Sequence, residues 1–377
     1  MHKITIFPLG NADCTRIDLE NGKKLLFDYA ATRDDSDQYD LRCDLPLELR
    51  SDLNEANRDY YDVVSISHLD EDHYKGASEF FWLEHAAKYQ SDDRMKINTL
   101  WVPAAIITEQ GPDNEEGRII QAEARHRFKA GKGIRVFSRP EKLRKWCEDR
   151  DIDFEDRKNI ITDAGRLTPE FRIEDDGVEF FVHSPFAKRL NEDEVEDRND
   201  DSLVMQAVFE VDSVQTKVLL MADVSCEIIS DIVGITRDTK ERPERLEWDV
   251  AKLPHHCSYN SVGPEKGEDK TTPEKNVAWL YEEQGQDGGM IISTSKPIPG
   301  KGSDEDKDKQ PPHRQAANYY KGLFDAPKDQ FLVTMEHPSK AKPKPIVIEI
   351  DNSKGTLKKS ALTAAVVASK TPAPRAG

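Results

Sequence analysis

Between Ser67 and Gly76 the chain reads Ser-His-Leu-Asp-Glu-Asp-His-Tyr-Lys-Gly, and four of these ten residues are potential metal ligands: His68, Asp70, Asp72 and His73. Imidazole suits Zn, Mn and Fe, while carboxylate adds charge and can bridge two cations. Two later segments end in groups of the same kind. Val218-Leu-Leu-Met-Ala-Asp223 is an apolar run closing on a carboxylate, and Asp249-Val-Ala-Lys-Leu-Pro-His-His-Cys-Ser258 carries the adjacent imidazoles of His255 and His256. Taken alone, Asp223 reads more readily as a helix N-cap than as a ligand. Two adjacent imidazoles at a strand end rarely serve packing alone. The three segments together specify a metal centre more strongly than any one of them.

The elements that must position these groups are also readable. Tyr61-Asp-Val-Val-Ser-Ile66, rich in β-branched residues, predicts a buried strand leading into the first motif. Gly76-Ala-Ser-Glu-Phe-Phe-Trp-Leu83 predicts the opening of a helix after it. The plain alternative is an acidic helix start in a chain already rich in Asp and Glu. Residues about 90–165 read as an insertion carrying a helix from Arg118 to Lys132. That stretch and its continuation to Lys145 form the most basic part of the chain, with Phe137 and Trp146 interleaved. It is the candidate surface for gripping a nucleic-acid backbone, against a solvated helix face paired with nearby acids. Residues 259–312 hold two Gly-, Pro- and charge-rich stretches that predict mobile loops, a candidate lid over substrate. Phe331–Met335 and Pro345–Ile350 predict a terminal hairpin, and residues 355–377 a disordered tail.

Composition sets the class. The 377 residues carry 54 Lys and Arg against 72 Asp and Glu, a net charge of −18, with 37% hydrophobic residues. That balance fits a globular protein and argues against a broad nucleic-acid footprint, which needs clustered cations. No apolar run approaches the roughly 18–20 residues that span a bilayer. The opening Met-His-Lys-Ile-Thr-Ile-Phe enters a strand at once and does not resemble a signal peptide. Cys14, Cys43, Cys147, Cys226 and Cys257 are scattered, without a Cys-x-x-Cys pair, as in reduced cytoplasmic proteins. No phosphate-binding Gly-rich loop is present to indicate nucleotide energetics.

The motif His68-x-Asp70-x-Asp72-His73, followed by Asp223 and His255-His256, resembles the metallo-β-lactamase superfamily, in the branch with His-x-Asp-x-Asp-His in place of His-x-His-x-Asp-His. Within it the chain is most similar to the nuclease domain of ComEC competence proteins and to phosphodiesterases such as phosphorylcholine esterases. Residues 4–14 resemble that group's opening strand and Gly-x-Gly-Asp turn. Lys24–Asp28 resemble its second strand, whose terminal Asp supports the site. Phe180–Pro185 and Asn199–Val204 resemble its Leu-His-Pro and Asn-Asp-Asn-Ser-Leu segments. Three departures stand out: Cys257 where the group has glycine, Ala222 before Asp223, and a longer charged loop after Ile291-Ile292-Ser293.

The resemblance implies an αββα sandwich spanning residues 1–350 and two divalent cations, Zn or Mn. It implies His68 and Asp70 in one metal site, and Asp72, His73 and His256 in the other, with Asp223 bridging. Asp200 or Asp201 falls where relatives supply a further ligand, and His313 where they have a downstream His-Pro. The implied reaction is phosphodiester hydrolysis by a metal-activated hydroxide, with DNA as the leading substrate. Asp72 would orient the attacking group, His255 would donate to a phosphate oxygen, and Lys75 and Ser258 are candidate phosphate contacts. Hydrolysis of a small phosphodiester or ester is the alternative. A metal-stabilised scaffold, with a protein partner or a second copy of the chain, is the non-enzymatic one.

Overall fold

A strand covered on both faces must be apolar at successive positions, and the central strands meet that demand by alternation. Val63 faces one hydrophobic layer and Val64 another; Leu219 and Leu220 divide in the same way, as do Ala251 and Val250. The computed structural model describes residues 1–112, 114–138, 140–186 and 201–358. Among them the strands are β1 (His2–Ile6), β2 (Thr15–Asp18), β3 (Lys24–Phe27), β4 (Tyr60–Ser65), β5 (Lys96–Pro103), β6 (Ile134–Phe137), β7 (Ile161–Thr162), β8 (Val178–Ser184), β9 (Val204–Val211), β10 (Val214–Met221), β11 (Trp248–Lys252), β12 (Gly285–Ser293), β13 (Phe331–Val333), β14 (Ile346–Asp351) and β15 (Lys354–Leu357).

They form two sheets, ordered β15-β14-β1-β2-β3-β4-β5-β6-β7 and β13-β12-β11-β10-β9-β8. Ile4, Ile6, Val63 and Trp101 of the first face Phe180, Met205, Leu220 and Ile292 of the second across a shared core. Helices Leu45–Glu55, Glu115–Ala130 and Glu141–Glu148 cover the outer face of the first sheet. Helices Cys226–Val233, Lys275–Glu282 and Arg314–Lys321 cover that of the second. The architecture is the αββα sandwich expected. Strands β3 to β7 run parallel to one another, as do β10 to β13. Their carboxyl ends are where open sheets present binding loops.

Several expectations change in detail. The stretch 90–165 is not helical alone: β5, β6 and β7 extend the first sheet, and the helix Glu115–Ala130 packs on it. The helix after Gly76 stops at Phe80, because Phe81 turns extended to bridge Met95. Phe331–Val333 and Ile346–Asp351 do not pair as a hairpin: β13 joins β12 in the second sheet, while β14 crosses to the open edge of β1. Alternation of Ile346, Ile348 and Ile350 into the inter-sheet core accounts for that crossing. Of the expected tail, Gly355 to Leu357 belong to β15, paired with β14; residues 359–377 lie outside the described residues. The charged loops within 259–312 are tied down. Lys266 donates to the Asp306 carbonyl at 2.8 Å, and Arg314 binds both the Asp306 carboxylate and the Glu268 carbonyl. None of the helices among the described residues is long and apolar enough to cross a membrane.

Trp101 is fully buried between the sheets, edge-on to Phe27, Phe137, Phe171 and Phe180. Trp101→Ala is expected to cost about 3–5 kcal/mol by leaving a cavity there. Denaturant unfolding checks it, and a loss below about 1 kcal/mol would contradict the packing described.

Candidate metal centre

The Asp28 carboxylate anchors the start of the first candidate ligand loop. Asp28 follows β3 in the left-handed region, at φ +57°. Its Oδ1 accepts from the Ser67 backbone N–H at 2.7 Å, and its Oδ2 accepts from the Ser67 hydroxyl at 2.8 Å and from His73 Nδ1 at 2.8 Å. The Ser67 hydroxyl in turn accepts from His68 Nδ1 at 3.1 Å. Both imidazoles are thereby held with Nδ1 toward these oxygens and Nε2 turned away from them, the arrangement that orients metal-binding histidines. The Asp13 N–H donates to the Asp72 carbonyl at 3.1 Å and the Tyr29 N–H to that of His73 at 3.1 Å. The helix Glu115–Ala130 secures the exit of the loop. Glu116 accepts from the N–H groups of Gly76 at 2.9 Å and Ser78 at 3.0 Å, and Asn114 donates to the Tyr74 hydroxyl at 2.7 Å.

The other two segments arrive from the second sheet. Asp223 lies just beyond β10 and His256 just beyond β11, and ligand atoms of Asp72, His73, Asp223 and His256 all lie within 4.8 Å of one another. His256 Nε2 is 2.9 Å from Asp72 Oδ2 and 3.6 Å from Asp223 Oδ2, while His73 Nε2 is 3.4 Å from Asp223 Oδ1. His256 Nδ1 donates to the Thr294 carbonyl at 2.7 Å, so its Nε2 also points inward. His68 and Asp70 stand beside this quartet. Their Nε2 and Oδ2 are 3.6 Å apart, and the His68 ring centroid is 4.0 Å from that of His73.

These groups fit divalent cations. His68 Nε2, His73 Nε2 and Asp223 Oδ1 are buried without a hydrogen-bond partner, a costly state for polar atoms unless something else binds them. Burial alone would raise the carboxyls of Asp72 and Asp223. The neighbouring imidazoles His73 and His256 outweigh it and hold both well below the usual carboxylate range. Burial likewise opposes a charge on His73 and His256, yet Asp223 and the adjoining carboxylates raise both, His256 to about 9. Without metal, protons on the imidazoles therefore balance the acidic cluster. A cation would take their place.

The turn carrying the imidazole pair is strained. His255, His256 and Cys257 all sit in the left-handed region, at φ +47°, +51° and +65°. Such conformations cost on the order of 1 kcal/mol each for residues other than glycine. His313 helps to hold the turn. Its backbone N–H donates to the Cys257 carbonyl at 3.1 Å, and its Nδ1 accepts from the Tyr259 N–H at 3.2 Å. With Nε2 donating to the Lys309 carbonyl at 3.2 Å, both ring nitrogens are committed to backbone. That leaves no lone pair for a metal.

The remaining candidates fall as follows. His255 is partly buried, its ring centroid 6.3 Å from that of His256; burial lowers its pKa, against a smaller opposing pull from Asp223. Lys75 is half exposed and pairs with Glu71 at 2.9 Å. The buried Ser258 hydroxyl accepts from the Asn260 N–H at 3.3 Å. Asp201 is buried, two residues before Leu203, whose N–H donates to the Ser67 carbonyl at 3.3 Å. Asp200 lies outside the described residues. In the basic stretch, Arg125 binds the carbonyls of Ile107 and Glu109, Arg127 pairs with Glu123, and Arg135 pairs with Glu170. These guanidinium groups hold the fold together.

Among solved structures, the chain is similar to unliganded yeast PDE1, at 10% identity and a TM-score of 0.42, over 88% of this chain and 96% of that one. It is also similar to the class B3 di-zinc metallo-β-lactamase LRA-12 from an Alaskan soil metagenome, at 9% identity and a TM-score of 0.29, over 73% and 84%. No family model and no curated protein matches.

Because the surrounding carboxylates raise the pKa of both His73 and His256, the latter to about 9, cation affinity is expected to rise with pH from 6 to 9 as these protons are more easily displaced. Chelator competition across pH 6 to 10 reads this directly. Affinity independent of pH would contradict displacement of those protons.

Proposed function

We propose that the chain is a metal-dependent phosphodiesterase, with DNA as its leading substrate. The observation that carries the reading is the convergence of His68, Asp70, Asp72, His73, Asp223 and His256 from two sheets. When bound, divalent cations supply Lewis acidity to a phosphoryl oxygen and activate a water for attack. The chain's own residues prepare the rest. Asp70, Asp72, Asp223 and the supporting Asp28 about balance the charge of two divalent cations, so the pull on a phosphate oxygen comes from Lewis acidity at the ions rather than from a net positive charge. The carboxylate oxygens, with one imidazole fewer than an all-histidine first site, favour Mn alongside Zn.

Asp72 is about one-third exposed and remains a carboxylate, placed to orient the attacking water. His255 lies beside the ligands and is neutral near pH 7, so one ring nitrogen can donate to a non-bridging or leaving oxygen. The strained 255–257 turn is what brings this imidazole alongside His256. The phosphodiester reading rests on Asp70 within the motif and on the His255-His256 pair, and the nuclease reading on the ComEC likeness. DNA follows from that likeness.

A second reading, a small soluble phosphodiester, is favoured by the use of Arg125, Arg127 and Arg135 inside the fold. A chain of net charge −18 with its arginines so committed has fewer cations for a long polyanion. Incubation with Mn or Zn on single- and double-stranded DNA, RNA and bis(p-nitrophenyl) phosphate separates the two. The proposal expects phosphodiester cleavage, reduced at least about 100-fold by Asp72→Ala or His73→Ala. Metal-loaded protein inert on every phosphodiester would overturn it; cleavage of the small diester alone would select the second reading.

A further inference from the structure

We propose that Lys252 is a positioning residue that sets the spacing between the two halves of the metal centre. The inference rests on reading residues 68–73, 223 and 256 as ligands. Side chains alternate along β11, with Val250 facing the inter-sheet core and Ala251 the outer layer, so Lys252 turns inward. Its register partners, Leu220 in β10 and Ile292 in β12, fill that core with apolar groups. An ammonium group at such a position, 5% exposed, is tolerated only when paired.

Lys252 Nζ binds the carboxylate of Asp13, itself 2% exposed, and donates to the Met221 carbonyl at 2.8 Å. Each attachment leads directly to a ligand. The Asp13 N–H holds the Asp72 carbonyl at 3.1 Å, Met221 lies two residues before Asp223, and Lys252 itself lies four residues before His256. One ammonium group thus ties together the loop from the first sheet and both ligand strands of the second. The cavity it borders, with Asp13, Asp28, Ser67 and Ala222, is only about 20 Å³, room for about one water. Little slack remains for the three segments to drift apart. The bond to the Met221 carbonyl gives the ammonium a second attachment, on the strand that leads to Asp223.

Three variants of the full chain test this: Lys252→Met, Lys252→Arg and the double variant Asp13→Asn/Lys252→Met. Two quantities are read, the melting temperature of the metal-free protein and its affinity for Zn²⁺ and Mn²⁺ by competition with a chelating dye. Lys252→Met strands a buried carboxylate and should lower both. The double variant removes both charges and should recover the melting temperature, while affinity stays roughly 10- to 100-fold below wild type. Lys252→Arg keeps the charge and the fold but not the geometry, and should also bind cations more weakly. If Lys252→Met does not fold, the other two variants carry the test. Recovery of wild-type affinity along with stability in the double variant would reduce Lys252 to charge compensation and overturn the proposal, as would a wild type that binds neither cation. Because the readout is cation binding, a wild type that binds metal yet cleaves no phosphodiester removes the function proposed above and leaves this inference to stand or fall on the variants.

Discussion

A carboxylate almost sealed from water, as Asp223 is at 3% exposure, must be compensated or it unfolds its surroundings. Leaving such a charge unpaired costs several kcal/mol, so the groups facing it are held in place by more than packing. His73 and His256 face it from opposite sides, and each is backed by an oxygen, Asp28 behind one and the Thr294 carbonyl behind the other. The result is a closed electrostatic unit, with protons supplying the positive charge when cations do not. Its members are placed so that divalent ions can take over that role.

The sandwich produces this unit through strand direction. Parallel strands β3 and β4 in one sheet, and β10 and β11 in the other, deliver their carboxyl ends to a common edge. Asp28 lies one position beyond β3, Asp223 two beyond β10, His68 three beyond β4 and His256 four beyond β11, so none needs a long loop to reach the centre. The same economy explains the strain at His255–Cys257. The chain leaves β11 and must present two adjacent imidazoles to different neighbours within one turn, which forces successive left-handed residues. Hydrogen bonds from His313 and its neighbours offset part of that cost.

Much of the centre was legible in the sequence because its candidate ligands are contiguous or lie at strand ends. His68 to His73 share one loop, and the apolar runs before Asp223 and His255 announce strands that stop where polar residues begin. The support was harder to read. Asp28 stood out only through family likeness, and Glu116, which fastens the loop's exit, lies on a helix that reads as a separate insertion. Lys252 is invisible to pattern, since a lysine in an apolar strand looks like a surface position until its register is known. The basic run from Arg118 left two readings open, a backbone-gripping surface and a face paired with neighbouring acids. Composition counts guanidinium groups, and only coordinates show that Arg127 and Arg135 are spent on carboxylates inside the fold. The terminal strands Phe331–Val333 and Ile346–Asp351 read as a hairpin because adjacency in sequence is the default; the free edge of β1 overrode it.

Convergence of three distant segments on a two-cation pocket is the claim on which everything else depends, and anomalous diffraction from crystals grown with Mn²⁺ tests it most directly. The expected map shows two peaks, one beside His68 and Asp70 and the other within the group of Asp72, His73, Asp223 and His256. Anomalous density elsewhere, with these side chains turned away from one another, would contradict it.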